Sequence, residues 1–426
     1  MEQYNIEKEA RKILEKNTRT GQKNGRVYTF SVPSSQVYPF QWFWDSCFHA
    51  IVWARLGEVG RAKEELRALL AWQQEDGFIP HVIFWHKKYV SRSWRSWHRL
   101  QSKGYFTWLN PLLKPDTSAE MQPPILAQAV ESIVKKEQNI KFAQEVLFLL
   151  EKYYRSLLDT RSPQKDGLIS IICQYESGLD YSPAYDNAIG YDFENLTTKP
   201  SDSSRKVTLN NKILNYNLKH IFSRDVFQTK DMLVNSIFIQ GLQSLARLAD
   251  ACQEADIARW ACEQAQKSSS SLINKCYDKK TGLFWNLDGK REIPSKIKTI
   301  ISLMPLIIED LPKTIISRIV KEHLLKENEF WTEYPVASVA KSEPTFNPNS
   351  NDRDKSGIWR GPLSMNTNWF LVHGLRQYGY DDIADKIAEK SKKLVQEHGF
   401  NEFYNPITGE PVGAPDFGWA TLVIDM

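Results

Sequence analysis

Cysteine is scarce. Cys47, Cys173, Cys252, Cys262 and Cys276 are the only five in 426 residues. The number is odd and no Cys-x-x-Cys occurs, so neither a disulfide framework nor a zinc site is indicated. Charge of one sign is lacking too. The 55 Lys and Arg are scattered among 51 Asp and Glu, and a net charge of +4 implies no nucleic-acid or membrane field. No apolar run is long enough to cross a bilayer. The opening MEQYNIEKEARKILEKN reads as a charged helix rather than a secretory leader, so the cytoplasm is the expected location. Walker, Gly-x-Gly-x-x-Gly, His-Glu-x-x-His and Gly-x-Ser-x-Gly motifs are all missing. Phosphate-loop, dinucleotide, zincin and esterase chemistries therefore have no carrier, and no metal or organic cofactor is expected.

What is abundant is aromatic: 14 Trp and 17 Tyr, with many in predicted loops. Apolar residues at helical spacing predict twelve helices. They span residues 4–18, 45–56, 59–74, 123–137, 139–160, 231–251, 256–276, 298–308, 312–325, 366–378, 381–398 and 417–426. Strand-like runs such as 168–172 are short and isolated. Twelve helices in six consecutive pairs point to an all-α, closed (α/α)6 barrel, residues 1–426 forming one domain; an irregular helical solenoid is the alternative. The connections at 75–122, 161–230, 277–297 and 326–365 exceed the ~15 residues at which loops become uncommon unless functional or disordered. Their aromatic content argues against disorder. In a ring of alternating outer and inner helices, all outer-to-inner connections emerge on one face and would form a mouth there.

The candidate chemistry sits in those connections. Residues 174–186, QYESGLDYSPAYD, put three carboxylates and three tyrosines beside a glycine and a proline. Gly and Pro predict a loop. Tyrosine rings stack on the C–H face of a sugar, and carboxylates accept its hydroxyls. In Tyr38–Ser46, Asp45 reads equally as a helix cap or a ligand, and Trp42 and Trp44 as core or sugar platform. Gln122 precedes two prolines and can present an amide to the mouth or serve a capping turn. Arg360, beside Trp359, reads as a buried ion-pair partner or a substrate donor. Residues 402–419 form a turn-rich loop in which Asp416 reads as the cap of the last helix, whereas Glu402 has no such local role. His81 and His86 flank Trp85 in a mouth loop.

Five motifs occur in order: Gln-Trp-x-Trp-Asp, Gln-Pro-Pro, Glu-Ser-Gly-Leu-Asp-x-Ser-Pro, Trp-Arg-Gly-Pro and Glu-x-Tyr-Asn-Pro-x-Thr-Gly. Together they resemble glycoside hydrolase family 63, in particular its compact bacterial mannosylglycerate and glucosylglycerate hydrolases. The likeness runs from about Tyr38 to Trp419. It implies an (α/α)6 barrel and an inverting α-glycosidase acting on a small carbohydrate, with Asp180 as general acid and Glu402 as general base. It implies that Tyr38, Trp42 and Asp45 hold the non-reducing sugar. Gln122, Gly178 and Trp359 would contact sugar or aglycone, and Tyr89 would close over the ligand. Trp44, Tyr175, Arg360 and Trp419 complete the expected substrate-binding set; Tyr175 stands where close relatives carry Trp. Asp180 would be kept protonated by an apolar mouth and by the negative neighbours Glu176 and Glu402.

Two departures bear on the aglycone. Ile358 and Ser364 stand where glycerate-specific relatives carry Tyr and Trp. Ser364 would remove a stacking face and open space. Arg92, Arg95, His98 and Arg99 alternate with Trp94 and Trp97 in the second long loop; the run reads first as a solvated basic helix face, and, if folded over the mouth, would suit a bulkier or anionic leaving group. Two other readings of the barrel are a sugar isomerase or lyase with His81, His86 or a tyrosine as base, and a carbohydrate-binding protein without turnover.

Overall fold

Two concentric rings of helices organise the chain. The computed structural model describes residues 5–86, 100–104, 115–194, 199–350 and 358–426. The inner ring comprises Phe43–Arg55, Leu126–Glu137, Met232–Ala251, Ile300–Ile307, Met365–Gln377 and Gly418–Asp425. Each packs on the next in that order, and Gly418–Asp425 returns to Phe43–Arg55, which closes the circle. The outer elements Ile6–Asn17, Val59–Leu70, Lys141–Arg161, Ala255–Cys276, Lys313–Leu324 and Asp381–His398 alternate with them along the chain. This is the expected (α/α)6 barrel.

Burial follows from that placement. Phe43–Arg55 buries twelve of its thirteen residues, being enclosed on all sides. Ala255–Cys276 buries one stripe: Ile257, Ala261, Ala265, Ser268, Leu272 and Cys276. Their spacing of three and four residues is one helix face. Asp381–His398 begins with two aspartates and ends with a histidine, which complements its dipole. Inner-to-outer turns are short, as between Arg55 and Val59 or Gln377 and Asp381. Outer-to-inner connections are long and gather at one end.

Several expected elements differ. Ile300–Ile307 is a tight 3-10 helix, and its Pro305 lacks the amide that an α-helix would use. Residues 312–325 divide into an α-turn, Lys313–Arg318, and a wider π-turn, Ile319–Leu324. The run 168–172 makes no strand. Ile171 exchanges two backbone hydrogen bonds with Thr229. The Ile169 amide and carbonyl are instead taken by the Asn235 side chain. A β-hairpin, Thr18–Lys23 against Arg26–Ser31, follows the first helix. Two helices, Pro200–Ile213 and Leu218–Arg224, lie in the long 161–230 connection.

Candidate active site

The stretch 174–186 folds as two single 3-10 turns, Gln174–Ser177 and Pro183–Tyr185, leading into Asp186–Ile189. Gly178 links them with φ +74°, a left-handed conformation that favours glycine. A Cβ there would stand 2.5 Å from the Trp44 ring. Backbone conformation and contact therefore both require glycine, and this sets Trp44 directly against the loop that carries Asp180.

The three carboxylates of the stretch have different fates. Glu176 is wholly buried and bidentate to Arg161 at 2.7 and 2.8 Å. It also accepts the amides of Met121 and Ile172. Asp186 is buried and bidentate to Arg360, with Nη1 at 3.0 Å from Oδ2. Burial pushes the Asp186 carboxyl up to about 6 while Arg360 pulls it down. Asp180 lines a cavity with Tyr38, Trp42, Trp44, Asp45, His81, Gln122, Gly178, Ile358, Trp359, Glu402 and Trp419.

Glu402 reaches that cavity from the strand Asn401–Tyr404. The Tyr38 phenol donates to its Oε1 at 3.1 Å, and the Ala414 amide donates to Oε2 at 2.9 Å. Its backbone carbonyl accepts from the Trp419 indole and the Ser364 hydroxyl, each at 3.1 Å. Gly413, at φ +82°, leaves room for the carboxylate, since a Cβ would lie 2.8 Å from Oε2. The carboxyl group is thus fixed by contacts on both oxygens and by its own main chain.

Opposite stand the groups suited to a sugar. Trp42 meets Tyr38 edge-on at 5.8 Å and His81 at 4.8 Å. Its indole Nε1 is a buried donor with no hydrogen-bond partner among the described residues, and Asp45 Oδ1 is an acceptor in the same condition. Asp45 does not cap its helix. The helix begins at Phe43 after the extended Trp42, and Asp45 is its third residue. Gln122 performs the capping from elsewhere, its Oε1 accepting the Trp44 amide at 3.0 Å. Burial pushes the Asp45 carboxyl up to about 7, with His49 nearby pulling it down. Trp359 is buried with φ +64°, a costly conformation for a tryptophan, at the edge of the same cavity.

Some expected residues sit elsewhere. Arg360 is the buried ion-pair partner of Asp186 and not a cavity residue. Tyr175 is buried with its hydroxyl 3.3 Å from that of Tyr181, outside the cavity lining. Ser364 opens no space there: it is fully buried and bonded to the Glu402 carbonyl. Ile358 does line the cavity. Asp416 is not a cap; it pairs with Lys16 while Phe417 takes the position before the last helix. Glu176 adds little negative charge beside Asp180, because Arg161 matches it. His86 contacts the Thr20 carbonyl away from the cavity. Tyr89, Arg92, Trp94, Arg95, Trp97, His98 and Arg99 lie outside the described residues.

One buried acid escaped the reading of the sequence. Glu120 is fully buried, bonded to the Tyr216 hydroxyl at 3.2 Å, and 3.9 Å from His81 Nδ1. Burial first, then Glu176, holds its carboxyl well above the usual range. It sits two residues before the Gln-Pro-Pro motif, but nothing local distinguishes it from a surface glutamate.

The chain is similar over its length to known enzymes. A mannosylglycerate hydrolase from Thermus thermophilus is 28% identical over 94% of this chain and 97% of that protein. A glucosylglycerate hydrolase from Mycolicibacterium hassiacum is 25% identical over 93% and 94%. The solved structure of a family 63 mannosylglycerate hydrolase from Thermus thermophilus with Tris and D-glycerate superposes with a TM-score of 0.83. It is 25% identical and covers 99% of both chains. The same enzyme with glucose gives 0.81. Residues 38–420 match the family described as the mannosylglycerate hydrolase MGH1-like glycoside hydrolase domain. A closed double ring of helices, a cavity at its loop-bearing end and a family match spanning nearly every residue lead to one conclusion: this chain belongs to that family and is an inverting glycoside hydrolase acting on a small glycoside.

Proposed function

We propose that Asp180 is the general acid and Glu402 the general base, and that residues 1–426 act as one catalytic domain. In an inverting reaction one carboxyl protonates the glycosidic oxygen while the other draws a proton from water on the opposite face of the ring. The Tyr38–Glu402 hydrogen bond carries the assignment of the base, because it aims a carboxylate already anchored by Ala414. Asp180 faces the same cavity from the opposite loop. Asp45 Oδ1 and Trp42 Nε1 supply an acceptor and a donor for sugar hydroxyls, and Gln122 and Trp359 complete that wall. Protonation and water activation need no metal or organic cofactor.

The substrate is an α-hexoside of a small hydroxy acid, α-mannosyl- or α-glucosyl-glycerate or a near relative. The support is the family and its relatives' activities. Ile358 replaces a polar contact with an apolar one on the aglycone side. An unpaired buried oxygen costs about 1–3 kcal/mol, so glycerate is held more weakly here than where a tyrosine is present.

The test compares wild type with Glu402→Gln on mannosylglycerate, glucosylglycerate, glucosylglycerol, kojibiose and nigerose, read by released hexose. Lost turnover with retained sugar binding supports the assignment. Undiminished turnover favours the isomerase or lyase alternative with His81 as base, and a wild type that binds without turnover favours the binding protein.

A further inference from the structure

A second cavity, about 1040 Å³, opens where the helix Lys141–Arg161 ends against residues 216–223. Among the described residues it shares no lining with the catalytic cavity. Its floor is buried and polar. Arg161 Nε, Ser162 Oγ and Gln228 Oε1 lie there without a hydrogen-bond partner among the described residues. Arg161 is 1% exposed and Gln228 3%. Buried polar atoms are seldom left unpaired, and each one invites an explanation. Phe78 and Phe222 give apolar walls. At the rim stand the exposed Lys103, Lys165, Lys219 and Lys290, against Asp76 and Asp159. Arg161 adds no free charge, since Glu176 matches it. A concave site with apolar walls and a few convergent polar groups is the usual form of a small-molecule site.

The polar groups define the occupant. Arg161 Nε–H needs an acceptor, Gln228 Oε1 needs a donor, and Ser162 can serve as either; hydroxyl groups answer all three. The excess of ammonium groups favours negative charge. The floor is also mechanically joined to the active site. Both Nη atoms of Arg161 hold Glu176, whose carboxylate accepts the Met121 and Ile172 amides. Glu176 lies in the turn Gln174–Ser177, which leads through Gly178 to Asp180.

We propose that this cavity is a second, non-catalytic site for a small hydroxylated organic anion, a sugar acid or a sugar phosphate, and that Arg161 couples its occupancy to the loop carrying Asp180. Coupling of this kind is reciprocal between the two ligands.

Calorimetric titration of the full chain with gluconate, glucose 6-phosphate and neutral glucose tests it, alongside steady-state hydrolysis of the best glycoside. Expected is one equivalent of gluconate or glucose 6-phosphate bound to wild type, and the tighter of the two identifies the anion. Binding weakens roughly tenfold in the Lys165→Ala/Lys219→Ala variant, whose exposed substitutions leave unliganded hydrolysis unchanged. Saturating anion changes KM by about twofold or more, without simple competition. The site is overturned if neither anion binds below about 10 mM. It is equally overturned if binding ignores the lysine substitutions, or if inhibition is purely competitive and so places the anion in the catalytic cavity. Binding that leaves KM and kcat unchanged overturns the coupling.

Discussion

The Tyr38 phenol donates to Glu402 Oε1 at 3.1 Å, across 364 residues of sequence. The segment leading into the first inner helix and the connection leading into the last one therefore meet at one carboxylate. Tyr38 also packs edge-on against Trp42 and Phe417, so its ring is held from both sides.

Removing only that hydroxyl leaves the packing in place. Tyr38→Phe should lower kcat by roughly ten- to a hundredfold, within the usual worth of positioned acid–base groups. KM should change far less, and the thermal midpoint should hold. Steady-state kinetics and a melting curve check this together.

Gly178→Ala places a methyl group 2.5 Å from the Trp44 ring on a backbone at φ +74°. Overpacking and left-handed strain together should cost roughly 2–4 kcal/mol. The loop carrying Asp180 should shift with it, so activity falls beyond the loss of stability. Urea unfolding gives the first quantity, and kcat/KM at a temperature where the variant is folded gives the second.

Asp45 ties pH to stability. Its carboxyl rises from 3.8 to about 7 on folding, chiefly by burial. Between those values the folded state binds more protons than the unfolded one, so this group's contribution to stability falls as pH rises through the window. Asp45→Asn should therefore gain stability relative to wild type at pH 8 and show little gain at pH 4. Asp186 and Asp288 shift the same way, to about 6 and about 7, and the difference between variant and wild type removes them. The same variant should bind sugar poorly, because Oδ1 is a cavity acceptor with no hydrogen-bond partner among the described residues. Melting curves at both pH values, with sugar titrations, test both statements.

The ring was legible because each class of helix has its own pattern. Ala255–Cys276 shows a stripe, and Phe43–Arg55 is apolar throughout apart from a few polar residues. Asn24-Gly25 marks the hairpin by the same logic, with φ +51° and +78° in a two-residue turn, and the helical count passed over it. Pro200–Ile213 has too few apolar residues to announce a helix, and its stability comes from contacts such as Asn211 Nδ2 to the Ile172 carbonyl. The resemblance to family 63 singled out Asp180 and Glu402, and both line the cavity. It could not sort Arg360 from a substrate donor, since that depends on Asp186, 174 residues away. Nor could it show that Ser364 supports the Glu402 carbonyl instead of facing the aglycone. The cap of the first inner helix was misplaced for a similar reason: its acceptor, Gln122, comes from another connection.

The division of labour between Asp180 and Glu402 is tested most directly by the hydrolysis of an α-glycosyl fluoride in parallel with the natural O-glycoside, using Asp180→Asn and Glu402→Gln. Fluoride leaves without protonation, whereas the attacking water needs a base in both reactions. The account predicts that Asp180→Asn loses the O-glycoside by roughly a hundredfold or more while keeping most of its rate on the fluoride. Glu402→Gln should lose both. Equal losses on both substrates in Asp180→Asn, or a Glu402→Gln variant that still hydrolyses the fluoride, would contradict it.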